Sequence, residues 1–431
     1  MQQPLFFSQR FSPIFACQFL SALNDNFIKN ALVILILFKL AGQEEGSLLV
    51  TLAGATLIVP FFLLSALGGE LADKYDKARV AQRLKLAEIP VAAIAGVGFI
   101  LNSLVLLFAA LVLFGIGAAL FGPIKYGILP DHLETEELPT ANAFVEGATF
   151  LAILGGTITG GVAMASNGSE ALVPAPAVAG LLVLIAALGW LSARYILPTG
   201  AGAPDLKITA NPLVSTFRLI GELYTDRQLW TGGLITTWFW LVGVVALTML
   251  PAFIKQSLGG NEHVITAALV LFTIGIALGS ALAAMASKTH PNLRLVPIGA
   301  LFMGLFSFDI AWTIWETPPL GDRVTPWQLA QHVTGIRLAF DLIGLSAAGG
   351  LFIVPSFAAV QAWASPDHRA RVVAAVNILN AAGMTFGLAV LGGLQAAGST
   401  FVMLFVILGA ANLLAAIAVF IAWGRKRFQN M

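Results

Sequence analysis

Twelve apolar segments, each long enough to cross a bilayer, follow one another along this chain. They run over residues 11–40, 47–69, 83–102, 104–123, 139–165, 173–197, 229–255, 263–287, 295–315, 335–362, 370–395 and 399–424. About 20 apolar residues suffice to span the hydrocarbon core. Inside that core every backbone polar group must be satisfied within its own segment, so each is predicted to be a helix. Several exceed the minimum length and are expected to tilt. Hydrophobic residues make up 58% of the 431 and charged residues 10%, a balance that excludes a soluble globular domain. The expectation is an all-α membrane protein.

Several function classes drop out on the same reading. A net charge of +1 gives no basic footprint for nucleic acid. Cys17 is the only cysteine, so an intramolecular disulfide is impossible, and no metal or other cofactor is expected. There is no Gly-x-x-x-x-Gly-Lys-[Ser/Thr] phosphate loop, which argues against an ATP-driven pump. There is no Gly-x-Ser-x-Gly elbow and no paired-His motif. The polar stretches are too short for a catalytic domain, so no enzyme is expected. About ten residues precede the first segment without a cleavage pattern, and that segment is expected to be retained.

Charge distribution orders the segments. The longest polar interruption, 198–228, follows the sixth segment and opens on a Pro- and Gly-rich linker. Within it, Leu213, Phe217, Leu219 and Ile220 alternate with Arg218, Glu222 and Asp226, the pattern of a short amphipathic helix at a membrane surface. If the N-terminus is cytoplasmic, most Lys and Arg fall on the cytoplasmic side, Lys74, Lys77, Arg79, Arg83 and Lys85 among them. Only Lys39, Lys255, Arg323 and Arg337 fall opposite. That asymmetry predicts that both termini are cytoplasmic. The halves echo each other weakly: Phe121-Gly122-Pro123 against Ile353-Val354-Pro355, and the segment-five run from Asn142 against the segment-eleven run from Asn377. Six plus six segments predict two pseudo-symmetric bundles, 1–197 and 229–431, joined by 198–228 and rocking about a midplane site.

The first segment breaks the apolar rule at its centre. Asn24, Asp25, Asn26, Lys29 and Asn30 stand where the segment should be most oily. A charge at a helix centre costs roughly 2.5–3.5 kcal/mol on insertion scales, so such residues usually mark a wet cavity or a substrate path. Asp25 and Lys29 are four apart and share a helical face. One reading is a self-neutralising pair. The three carboxamides exceed what neutralisation needs and favour a polar binding surface, although they do not all share one face and some must serve packing.

The run Gly69-Glu70-Leu71-Ala72-Asp73-Lys74-Tyr75-Asp76-Lys77-Ala78-Arg79 resembles the loop signature of the major facilitator superfamily, with Asp76 standing where the pattern usually has Gly. Three further blocks are similar to the lysophospholipid transporter family within it: Leu23 to Leu32, Phe121 to Pro130 and Asn142 to Gly147. The first block also resembles the transporter module that some bacteria fuse to acyltransferase and acyl-carrier-protein synthetase domains. The resemblance implies a lipid flippase of the bacterial inner membrane. Such a protein moves lysophospholipids, mainly lysophosphatidylethanolamine, for reacylation beside an acyltransferase. The rival reading is a proton-coupled antiporter of small organic solutes using Asp25 or Glu146. Segment four lacks the central arginine that such antiporters often carry. A third reading is a non-transporting membrane anchor for an acyltransferase.

Other residues are weighed against plainer roles. Asp25 suits the ammonium and Lys29 the phosphate of a zwitterionic head. Glu146 is either a helix-interface carboxylate or, functionally, a second headgroup ligand or a protonatable switch. Lys125 either snorkels to the cytoplasmic phosphates or serves a cytoplasmic gate or guides a lipid phosphate. Trp238 and Trp240 either face lipid or line the path of an acyl chain. Asp73 is expected to be structural, since the resemblance implies contacts that hold one conformational state. Arg337, Asp341 and Asp309 are either a closing charge cluster or a local salt bridge.

Overall fold

The computed structural model describes residues 4–36, 43–164, 166–167, 170–171, 173–209, 211–287, 290–316, 321 and 323–427. Lys39 lies outside them. The helices in chain order begin with α1 (Ser12–Leu35), α2 (Gln43–Lys74), α3 (Lys77–Ile100), α4 (Leu104–Gly127) and α5 (Leu129–His132). Next come α6 (Leu138–Met164), α7 (Ala175–Arg194), α8 (Pro212–Thr225), α9 (Arg227–Leu258) and α10 (Glu262–Ala286). The last are α11 (Leu295–Glu316), α12 (Pro326–Ala330), α13 (Val333–Trp363), α14 (Arg369–Ala396) and α15 (Phe401–Arg427). All but α5, α8 and α12 match the twelve apolar segments. A two-residue antiparallel pairing of Ser166–Asn167 with Glu170–Ala171 lies between α6 and α7.

Nine of these helices, counted among the described residues, are long and apolar enough to cross a membrane. The first helix falls outside that number because of the amides and charges at its centre. α3 does so because Lys77, Arg79, Arg83, Lys85 and Glu88 all sit in its first half. Pro60, Pro90, Pro123, Pro251 and Pro355 lie inside helices. In a membrane, neighbouring groups can re-satisfy the carbonyls they free. Polar side chains mark the starts: Asp76 accepts from the Arg79 amide at 3.0 Å to cap α3, and Asn211 and Asn261 cap α8 and α10 in the same way.

Two compact units divide the chain. Unit 1 holds Met1–Glu134, Ala148–Leu229 and Gln361–Ile378; unit 2 holds Thr135–Gly147, Trp230–Val360 and Leu379–Met431. In unit 1, α3 packs along α7 and α4, α2 along α4, and α1 against α7. Phe27, Ile28, Leu32, Leu111, Phe114 and Leu182 are buried at its core. In unit 2, α11 packs along α15.

Small residues set the closest approaches. On α6, a methyl added at Gly156 would sit 2.6 Å from Asn26 Cβ and 2.7 Å from the Leu23 carbonyl oxygen. One at Gly160 would sit 2.8 Å from the Ala31 amide nitrogen. This Gly-x-x-x-Gly edge lets α6 touch the backbone of α1 along the polar stretch. Gly279 of α10 plays the same part in unit 2, where its Cβ would sit 1.9 Å from the Ala347 carbonyl oxygen.

Gly156→Leu is therefore expected to push α1 off α6, at a cost of at least about 1–3 kcal/mol from overpacking. Gly161→Ala, whose added methyl meets nothing nearer than Ile34 Cδ1 at 3.9 Å, should be neutral. Thermal unfolding of the two variants in detergent checks the contrast.

Candidate functional site

The polar stretch of α1 resolves into two faces. Asn24 is buried, and its amide donates to the Leu182 carbonyl of α7 at 3.2 Å. It joins two helices. Asp25, Asn26, Lys29 and Asn30 are each only partly buried. Asn26 donates to the Ala22 carbonyl at 2.8 Å and accepts from Lys29 Nζ at 3.1 Å. Asn30 donates to the Asn26 carbonyl at 2.8 Å and to Thr157 Oγ1 of α6 at 3.1 Å. Asn26 thus holds the Lys29 ammonium, and Asn30 ties α1 to α6, where Gly156 and Gly160 allow that approach. Among the described residues no ion pair joins Asp25 to Lys29, and the self-neutralising reading loses its contact.

α3 adds a charged pair that sequence reasoning missed. Lys85, counted above with the basic flanks of the membrane, has no solvent exposure. Its ammonium pairs with Glu88 and donates to Ser21 Oγ of α1 at 2.6 Å. It also lies 3.9 Å from the centre of the Phe121 ring of α4. A Glu three residues on from a Lys, inside an apolar segment, was the available signal. At the end of α4, Lys125 is partly buried and lies 4.5 Å from the centre of the Tyr126 ring.

The loop between α2 and α3 gathers carboxylates. Asp73, wholly buried, accepts from the Ala370 and Arg371 amides at 3.0 and 3.1 Å and from Arg371 Nε at 3.1 Å. It therefore caps the first turn of α14 and pairs with its guanidinium, a favourable place for an anion. Asp131 binds Lys77 at 2.9 Å and Arg369 at 2.7 Å. Glu70, wholly buried, pairs with Arg218 and accepts from Ser215 Oγ and, at 3.0 Å, from the Thr209 amide. Close backbones make this possible, since a methyl at Gly69 would sit 2.7 Å from Ala374 Cβ. His368 stands 3.7 Å from Glu222. Burial, followed by the charge of Arg371, holds its imidazole below the usual range. That contact is therefore not an ion pair at neutral pH.

Unit 2 holds the remaining candidates. Glu146 is buried in the early turns of α6. On α9, Trp238 donates its indole N–H to Asn412 of α15 at 3.0 Å, while Trp240 meets Phe239 edge-on at 5.4 Å. Two positions apart on a helix, the tryptophans point to different sides. Arg337 of α13 grips Asp309 of α11 through two nitrogens, Nε to Oδ2 at 3.0 Å. Asp341, one turn on, is wholly buried.

The sequence profile of the Major Facilitator Superfamily matches residues 14–321. The chain belongs to that superfamily. Within it, the lysophospholipid transporter LplT of Yersinia pestis is 30% identical over 360 residues, covering 81% of this chain and 77% of that protein. The LplT of Cronobacter sakazakii is 28% identical, covering 82% and 81%. These matches put the chain in the lysophospholipid transporter family. In fold it is similar to the human organic anion transporter MFSD10 (TETRAN), at a TM-score of 0.73 and 15% identity over 97% of this chain and 100% of that one. An outward-facing bacterial homologue of ferroportin gives a TM-score of 0.67 at 16% identity, over 96% of this chain and 99% of that one.

A major facilitator protein is a multi-pass membrane transporter and not an enzyme, as the motif search implied. Its signature loop is the Glu70–Asp73–Asp76 cluster, and Asp73 within it holds the start of α14. Removing one partner of a buried charge pair costs about 3–5 kcal/mol. Asp73→Asn is therefore expected to free α14, and a cysteine put in place of buried Ala374 should then react with a maleimide far faster than in the parent. Equal labelling rates would mean that packing alone holds the helix.

Proposed function

We propose that this transporter carries lysophosphatidylethanolamine-type lipids across a bacterial inner membrane by alternating access, supplying an acyltransferase that reacylates them. One observation carries the reading: Asp25 and Lys29 stand a turn apart on a partly exposed face, and among the described residues no ion pair joins the two charges. Unpaired charge in a membrane helix is expensive, which favours a site held open for a ligand. A lysophosphatidylethanolamine head brings one ammonium and one phosphate, the complements of a carboxylate and a lysine. Each charge-assisted hydrogen bond would contribute about 1.5–3 kcal/mol. Asn26 holds the cation in place. Glu146, Trp238 and Trp240 stay in the proposal as further substrate contacts. The names of the curated relatives support the lipid class.

For the moving parts the proposal keeps two six-helix bundles, 1–197 and 229–431, joined by 198–228, with both termini cytoplasmic. Asp73 and Lys125 would serve the cytoplasmic gate. Arg337, Asp309 and Asp341 would serve the periplasmic one.

Two tests follow from the site and the gate. Asp25→Ala should abolish uptake of labelled lysophosphatidylethanolamine by spheroplasts at matched expression. Lys29→Ala should weaken uptake of every phosphate-bearing lysolipid, lysophosphatidylglycerol included, whereas Asp25→Asn should weaken chiefly those with an ammonium. Parent-like uptake by Asp25→Ala would place the site elsewhere. At the gate, the Arg337–Asp309 pair is more than a third exposed, and such pairs are worth about 1 kcal/mol at most. Arg337→Ala should therefore shift the population outward-open only several-fold. Paired spin labels reporting the periplasmic distance check this, and an unchanged distribution would make the pair a static bridge.

A further inference from the structure

Cys17, Ser21, Asp25 and Lys29 follow one another at four-residue intervals and form one stripe down α1. Lys85 is docked on that stripe at Ser21, a turn from Asp25, at a spacing of about 6 Å between neighbouring β-carbons. Asp25 lies within electrostatic reach of Glu88 and Lys85 and, more weakly, of Lys125 and Lys29. Two carboxylates thus lie around one buried ammonium. They differ in access: Glu88 is buried, while Asp25 is partly exposed.

The other contacts of Lys85 do not choose between them. The face of an aromatic ring attracts a cation without fixing its hydrogen bonds, and the Ser21 hydroxyl rotates to suit its partner. Lysine carries three rotatable donors on a flexible stem. The ammonium is bonded to Glu88 and, among the described residues, forms no ion pair with Asp25. Without Glu88, the buried charge of Lys85 would need another partner, and the nearest carboxylate along the stripe is Asp25.

We propose that Glu88 is a positioning residue for headgroup selection: by holding Lys85 it keeps the Asp25 carboxylate open to a ligand's ammonium. Lys85 is the internal competitor for that carboxylate. The inference rests on the reading that Asp25 receives the substrate ammonium, and it names what keeps Asp25 available. It requires no contact between Glu88 and the lipid. Its consequence is selective, since only headgroups that bring an ammonium compete with Lys85.

The test compares the parent, Glu88→Gln and the double variant Lys85→Met/Glu88→Gln in spheroplasts. Uptake is titrated with lysophosphatidylethanolamine and with lysophosphatidylglycerol at matched amounts of folded protein. For the ammonium-bearing lipid, Glu88→Gln is expected to raise KM roughly tenfold, the scale of one lost charge-assisted hydrogen bond, with kcat near the parent's. The KM for the glycerol headgroup should not move. The double variant, which removes the competitor, should return the first KM to the parent's value or below. A merely structural pair would weaken both headgroups alike, and that result overturns the proposal. So does a double variant that discriminates against the ammonium headgroup, a reading available even where Glu88→Gln does not accumulate. A parent that takes up neither lipid overturns the substrate reading itself, and a parent that takes up both with unchanged KM in Glu88→Gln overturns only the role of Glu88.

Discussion

An ionised group buried in a protein must be answered by another group, and this requirement organises unit 1. Lys85 is answered by Glu88, Ser21 and the Phe121 ring. Asp73 is answered by Arg371 and the first amides of α14. Lys29 is answered only in part, by the neutral oxygen of Asn26. The pattern separates structural charges, which are buried and paired, from the partly exposed Asp25 and Lys29, for which no ion pair forms among the described residues. Charge alone does not mark the site; the incomplete answer does.

Much of the fold could be read before any coordinates. Segment length gave twelve helices because a membrane leaves the backbone no alternative. The linker helix was legible from its pattern, yet its contacts were not. Leu219 and Leu223 are buried while Leu213, Phe217 and Tyr224 point outward, so the helix has two apolar sides. Only packing against α2 tells them apart.

At the candidate site the limits had clear causes. Asn24 and Asp25 are adjacent, so helix phase sends them to different sides, but nothing local says which side meets α7. Lys85 follows Lys77, Arg79 and Arg83 in one unbroken helix, and a basic residue near a span end reads as a flank. Its burial depends on Ser21 and Phe121, 64 positions before and 36 after it in the chain. The partners of Asp73 lie 297 and 298 positions away. Arg337 has an aspartate four positions on, Asp341, and another on α11, and it is Asp309 on α11 that the guanidinium grips. Periodicity orders neighbours on one helix and is silent about the next.

The stretch joining α7 to α9 has a mechanical consequence. Asp76 accepts from the Thr199 and Gly200 amides at 2.9 and 2.7 Å, and the Asp73 carbonyl accepts from Ala203 at 2.7 Å. Farther along, Glu70 holds Thr209, Ser215 and Arg218. A chain pinned at so many points has little slack to give, whatever its Gly and Pro content suggests. Asp226, the single residue between α8 and α9, caps α9 through the Gln228 and Leu229 amides. Torque entering at that one joint would reach the signature loop directly, so the connector acts less like a tether than like a lever.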